Sequence, residues 1–163
     1  MNSNDEIRGK PLGWALTILA SLTLATPADA RDSLGVFGRW AAFRDARPPR
    51  CYAISAPARP VPKTARWRPF ASVATWPGRA RNQVHIRLRQ PRPAGTKVAL
   101  QIGRQRFVLV AGGADAWARD ARTDVAIVTA MRSAERMIVG GESYPLRGAA
   151  TAIDAALLGC IRR

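Results

Sequence analysis

Residues 144–160 read YPLRGAATAIDAALLGC, and this stretch decides how the chain folds. Its apolar side chains recur every three or four residues, at Leu146, Ala149, Ile153, Leu157 and Cys160. This spacing predicts a short strand followed by a helix with one apolar face. Gly159 predicts the end of that helix, because glycine readily takes the left-handed conformation found at helix ends. A helix with such a face needs a sheet to pack against.

The two cysteines of the chain are Cys51 and Cys160. A bond between them would tie the last element to one of the first and close a loop of about 110 residues. Two cysteines in an exported chain favour one internal disulfide. Two free thiols, or a bond to another chain, are the alternatives.

Residues 1–30 have the pattern of an export signal. Arg8 and Lys10 precede an apolar run over residues 13–24, and Pro27 and the small residues Ala28 and Ala30 follow it. We expect cleavage after Ala30. A membrane anchor is the alternative, but twelve apolar residues fall short of the ~20 that a spanning helix needs. Residues 31–163 are then long enough for one domain.

The charge of this domain is strongly positive. Residues 31–163 keep all but two of the 26 basic residues and all but three of the 11 acidic residues, which leaves a formal charge of +16. Such an excess favours anionic partners, for example lipopolysaccharide, anionic lipid or a polyanionic glycan. The alternative is that the charge reflects a GC-rich coding bias, because only three of the chain's 26 basic residues are lysine.

Alternating and β-branched segments predict six to eight strands along the chain. The first runs from Val36 to Ala42, after a polar lead over residues 31–34, and Gly103-Arg104 predicts a two-residue hairpin turn. The Pro-rich residues 57–68 predict a loop. Gly112 and Gly113 are expected to end a strand. With two helices, the pattern predicts an α+β domain: a mostly antiparallel sheet or sandwich-like core with the helices packed on it.

Asp120 predicts the start of the first helix, because its carboxylate can cap the free amides there. Asp124 would then face the positive end of the helix dipole. We expect Val125, Val128 and Met131 to be buried, with Ile127 at the margin. Trp40 and Trp117 are expected in the core.

The clearest alternation in the chain places His85, Arg87 and Arg89 in one row, opposite the apolar side chains Val84, Ile86 and Leu88. Guanidinium groups in such a row can bind phosphate or sulfate, so we predict a possible anion-binding site at these three residues. An ordinary solvated face, or a charged strand edge, is the alternative. Trp67, between two arginines, is a possible further contact.

Catalytic patterns are missing from the sequence. His85 is the one histidine, so no soft-metal site is expected, and the nucleophile elbow, phosphate-binding loop and dinucleotide fingerprint do not occur. We therefore expect no enzyme activity and no cofactor. Export argues against nucleic acid as the partner.

Four short motifs lie along residues 31–163: Phe37-Gly38-Arg39-Trp40, Cys51-Tyr52-Ala53, the Ile102-Gly103 turn and the segment 146–155, LRGAATAIDA. Together they resemble motifs of the invasion-associated locus B (IalB) family of exported bacterial proteins. The resemblance implies a periplasmic or secreted envelope protein, with a role in host-cell entry in pathogens, and carries no catalytic residue. We expect a non-enzymatic envelope protein that binds an anionic or protein partner. The alternatives are an enzyme acting on envelope material and a purely structural protein.

Overall fold

The computed structural model describes residues 31–161, so the predicted export signal lies outside the described residues. Nine strands are present: β1 Arg31–Phe37, β2 Trp40–Asp45, β3 Arg50–Ser55, β4 Phe70–Trp76, β5 Ala80–Arg92, β6 Lys97–Ile102, β7 Gln105–Ala118, β8 Arg136–Val139 and β9 Glu142–Pro145. Two helices follow β7 and β9: α1 Ala121–Ser133 and α2 Ala149–Ile161. Neither helix is long and apolar enough to span a lipid bilayer.

The strands form a single antiparallel sheet in the order β1-β2-β3-β4-β5-β7-β6-β8-β9. The predicted α+β class is confirmed, with one curved sheet in place of a sandwich. The strand count exceeds the prediction because the expected strand from Val36 to Ala42 is two strands. Gly38, with φ of +62°, turns the chain between them, and the polar residues at 31–34 pair with β2. The two-residue turn at Gly103-Arg104 is confirmed.

The sheet curls until its two ends meet. The indole nitrogen of Trp40, at the start of β2, donates a hydrogen bond of 2.9 Å to the carbonyl of Pro145 in β9. The amide of Ala58, after β3, donates one of 2.7 Å to the carbonyl of Ser143. These contacts close the fold around a core that contains the fully buried Trp40 and Tyr144.

Helix α2 covers the first half of the sheet, β1 to β4. Its buried face consists mainly of alanines, with Ile153 as the large apolar side chain, so the helix axis can approach the strands closely. The prediction that Gly159 ends the helix is wrong, because α2 continues to Ile161. A Cβ at Gly159 would lie 2.5 Å from a methyl carbon of Leu34, so this glycine makes room for β1.

The disulfide between Cys51 and Cys160 is confirmed. Cys51 lies in β3 and Cys160 in the last turn of α2, with their Cα atoms 5.7 Å apart. The bond therefore fixes the far end of the helix to a central strand of the half-sheet that the helix covers. The two cysteines are 109 positions apart in the sequence.

Helix α1 begins as predicted, and Val128 and Met131 are buried as expected, but the centre of its buried face is shifted. The carboxylate of Asp120 accepts hydrogen bonds of 2.7 Å from the amide and the hydroxyl of Thr123. Val125 is exposed and Ile127 is fully buried, which reverses their expected places. The helix is rotated because Asp124 points into the fold, where it accepts a 2.8 Å hydrogen bond from the amide of Val84.

Strand β7 does not end at Gly112 and Gly113, as the sequence predicted. Gly113, with φ of +65°, lies where the pairing with β5 shifts register, and the strand continues beyond it to Ala118. Trp40 is buried as expected. Trp117 is not a core residue: it lies on the outer face of the sheet and is 36 % exposed.

The first prediction concerns the disulfide. Replacing both cysteines, Cys51→Ala with Cys160→Ala, should lower the free energy of unfolding by roughly 4 to 5 kcal/mol, because the unfolded chain regains the freedom of a long loop. Denaturant unfolding of oxidised and variant protein measures the difference. Reduced wild-type protein should match the double variant; equal stability of oxidised and reduced protein would contradict the prediction.

A second prediction concerns Gly148, between β9 and α2. A Cβ there would lie 1.9 Å from the carbonyl oxygen of Phe37, in a backbone with φ of +89°. Gly78→Ala is the matched control, because Gly78 also has positive φ but has no atom within 4 Å of an added Cβ. The control should lose about 1 to 2 kcal/mol from backbone strain alone.

Gly148→Ala should lose about 1 to 3 kcal/mol more than Gly78→Ala, because the neighbouring turn must also move. Thermal unfolding of the two variants beside wild type measures both losses. Equal losses would contradict the prediction, because the close approach of Gly148 to the β1–β2 turn would then have no effect on the cost of the added side chain.

Candidate anion-binding face

Strand β5 presents two different faces, as its alternation predicted. Val84, Ile86 and Leu88 are buried against the core. His85, Arg87 and Arg89 are partly exposed. The neighbouring strand determines what His85 and Arg87 contact, because the pairing of β5 with β7 places Asp115 directly opposite Arg87 and Trp117 opposite His85.

One carboxylate joins His85 and Arg87. The Oδ1 atom of Asp115 lies 2.8 Å from Nε2 of His85 and 2.6 Å from Nε of Arg87, which donates to it. Nη2 of Arg87 donates a second bond of 3.2 Å to Oδ2. The two-pronged contact fixes the guanidinium plane on the sheet surface.

The electrostatic surroundings favour the ionised form of Asp115. Partial burial acts to raise the pKa of this carboxyl, but the hydrogen bonds from Arg87 and His85 outweigh it, so the pKa lies below its usual value. Asp124 is the contrasting case. Burial raises the pKa of Asp124, and the one hydrogen bond from Val84 only partly offsets that.

Three aromatic side chains surround this network. The ring of His85 stacks on Trp117 with centroids 5.3 Å apart and planes 7° apart, and it meets Phe70 edge-on at 5.1 Å. The guanidinium of Arg87 lies 5.8 Å from the centroid of Trp67 and 5.4 Å from that of Phe70. We call this group the aromatic cluster: Trp67, Phe70, His85, Arg87, Asp115 and Trp117.

Sequence reasoning identified three members of this cluster and missed three. Asp115 and Trp117 were missed because Gly112 and Gly113 were expected to end the strand before them and Trp117 was expected in the core. Had the alternation been continued past Gly113, it would have placed both residues on one face. No sequence pattern indicated that Phe70, in β4, would contact His85 and Arg87.

Arg89 pairs separately, with Glu142 in β9. Its Nε donates a hydrogen bond of 2.5 Å to the largely buried carboxylate, and this bond raises the pKa of Arg89. All three residues of the predicted anion-binding row therefore already contact an internal carboxylate. That they also bind an external anion stays a prediction.

A cleft of about 730 Å³ opens beside Arg89. Leu88, Val98, Leu100 and Val139, which are largely buried, contribute apolar lining. Four cationic side chains also line it, namely Arg89, Arg92, Lys97 and Arg106, and its lining includes no Asp or Glu. We call it the basic cleft. Its size lies within the range of small-ligand sites.

Ion pairing leaves most of the positive charge without a partner. Residues 31–161 contain 22 arginines and lysines and eight acidic residues. Six of the eight acids pair with seven arginines, and Asp124 bonds to the backbone. Fifteen basic residues thus have no carboxylate partner among the described residues, including Arg92, Lys97 and Arg106 of the basic cleft.

Comparisons with known proteins found no matching family model, curated protein or solved structure.

A third prediction concerns the two contrasting carboxylates. Asp115→Asn should destabilise the fold at pH 7 by about 1 to 2 kcal/mol, since Arg87 and His85 lose a charged acceptor. A lowered folded-state pKa means that the ionised group stabilises the fold above the unfolded-state value near ~4 and loses this effect as the pH falls. The difference between wild type and Asp115→Asn should therefore shrink at lower pH.

Asp124→Asn is the control, because its stability relative to wild type should change with pH in the opposite direction. A raised folded-state pKa means that ionisation of Asp124 destabilises the fold as the pH rises, so this variant should gain stability relative to wild type toward pH 7. Denaturant unfolding at pH 3 and pH 7 distinguishes the two trends. The same trend in both variants would contradict the assignment.

Proposed function

We propose that the chain is an exported, non-enzymatic protein of the bacterial envelope that binds an anionic envelope component through the basic cleft. The observation that carries the proposal is the distribution of charge. The carboxylates are almost all engaged by arginines or backbone, whereas Arg92, Lys97 and Arg106 meet at one cleft without an acidic neighbour among its lining residues. An anion bound there would supply the missing counter-charge.

The proposed location, periplasmic or secreted, rests on two observations. The disulfide fits an oxidising compartment, where such bonds persist. The sequence of residues 1–30 has the order of charged, apolar and small residues that an export signal requires. Membership of the invasion-associated locus B family is part of this proposal and rests on the short motifs alone.

The His85–Asp115 pair supports a second candidate, an enzyme acting on envelope material. A histidine held by a carboxylate is a common general base. In this chain the same carboxylate oxygen also accepts from Arg87, and neither ring nitrogen of His85 hydrogen-bonds to a Ser, Thr or Cys side chain among the described residues. Release of soluble sugar or peptide from purified envelopes by wild type, and its loss in His85→Gln, would favour the enzyme.

A fourth prediction tests binding at the cleft. The triple variant Arg92→Gln/Lys97→Gln/Arg106→Gln should elute from immobilised heparin and lipopolysaccharide at lower salt than wild type. Its log Kd should depend less steeply on log salt, by about one for each lost contact, because fewer counter-ions are released on binding.

The matched control is Arg39→Gln/Arg79→Gln/Arg81→Gln. These arginines are exposed, have no carboxylate partner among residues 31–161 and do not line the cleft, so the control removes the same charge elsewhere. It should lose much less retention than the cleft variant. Equal losses would show that binding follows net charge alone, and no retention of wild type would refute the proposal altogether.

A further inference from the structure

The aromatic cluster is a second surface, and it differs in chemistry from the basic cleft. It combines aromatic rings with hydrogen-bonding groups that are fixed in place. Trp117 uses one face against His85 and is still 36 % exposed, and Trp67 is partly exposed at the end of the loop after β3. Indole rings with free surface at a polar site commonly form part of a binding surface.

The polar groups of the cluster can form further hydrogen bonds beyond those they make with one another. Asp115 receives three hydrogen bonds, from His85 and Arg87, whereas a carboxylate offers about four acceptor positions. Arg87 uses Nε and one terminal nitrogen on Asp115, which leaves further N–H donors on its other terminal nitrogen. A ligand rich in hydroxyl groups can use both a carboxylate acceptor and guanidinium donors.

The cluster and the basic cleft lie next to each other on one strand. Arg87 belongs to the cluster and Arg89 to the cleft, and the two residues are two positions apart in β5, next to the shift in its pairing with β7. A ligand of several linked sugar rings can therefore reach from one surface to the other. It would need ring faces and hydroxyl groups for the cluster, and negative charge for the cleft.

We propose that the ligand is an acidic polysaccharide, whose sugar rings pack on Trp117 and Trp67 while its carboxylate or sulfate groups enter the basic cleft. The proposal rests on the proposed function and names the ligand class for it. Sugar C–H faces pack on indole rings. Asp115 accepts hydrogen bonds from hydroxyl groups and Arg87 donates to them, while Arg92, Lys97 and Arg106 neutralise the acidic substituents. An anionic lipid would use the cations without requiring this combination. A nucleic acid also combines stacking rings with negative charge, and the proposed export is what argues against it.

The test compares two anionic polymers. Polygalacturonate offers both sugar rings and carboxylates, whereas inorganic polyphosphate offers charge alone. Trp117→Ala and Trp67→Ala should each bind polygalacturonate about threefold to tenfold more weakly than wild type, and polyphosphate with unchanged affinity. Trp117→Phe, which keeps a ring, should recover part of the loss. Trp76→Ala, at the far end of β4, is the aromatic control and should bind both polymers as wild type does.

The outcomes separate the two proposals. Wild type that binds neither polymer refutes the proposed function and this inference together. Wild type that binds both, with tryptophan variants that lose neither or lose both equally, refutes the polysaccharide and leaves the cleft as a general anion site. Thermal unfolding of each variant, expected close to wild type for the exposed Trp117 and Trp67, shows that the comparison is made on folded protein.

Discussion

The attachment of α2 at both of its ends is the constraint on which the rest of the fold depends. At its start, Gly148 lies so close to the carbonyl of Phe37 that no side chain fits between them. At its end, Cys160 is bonded to Cys51 in β3. The helix therefore spans the half-sheet formed by β1 to β4 and cannot slide along it. The alanines between these two points suit this arrangement, because small side chains allow the close approach that both attachments impose.

Local patterns in the sequence predicted most of the elements, and long-range pairing accounts for the failures. The alternation of β5, the hairpin at Gly103 and the cap at Asp120 all depend on neighbours within a few residues, and all three are confirmed. The rotation of α1 depends on the amide of Val84, forty positions away, which attracts Asp124 inward. Hydrophobicity alone did not indicate that Ile127, rather than Val125, would be buried.

At the candidate site, too, local patterns predicted the residues, whereas long-range pairing determined their contacts. The row of His85, Arg87 and Arg89 follows from alternation, but its partners do not. Asp115 comes from β7, which pairs with β5, and Glu142 comes from β9, which is not a neighbour of β5 in the sheet. A basic sequence pattern therefore overestimates the free charge at that row. Three of the fifteen unpaired cations, Arg92, Lys97 and Arg106, are scattered in the sequence and line one cleft through the pairing of β5, β6 and β7.

The cations that line the basic cleft are of two kinds. Three of the four are arginines, whose planar guanidinium groups present their N–H donors as a fixed fork, and the fourth is a lysine. A carboxylate, sulfate or phosphate group can accept two parallel hydrogen bonds from such a fork. This geometry therefore favours anions with paired oxygen atoms over a simple halide ion of the same charge, a preference that a cleft built from lysines would not show to the same degree.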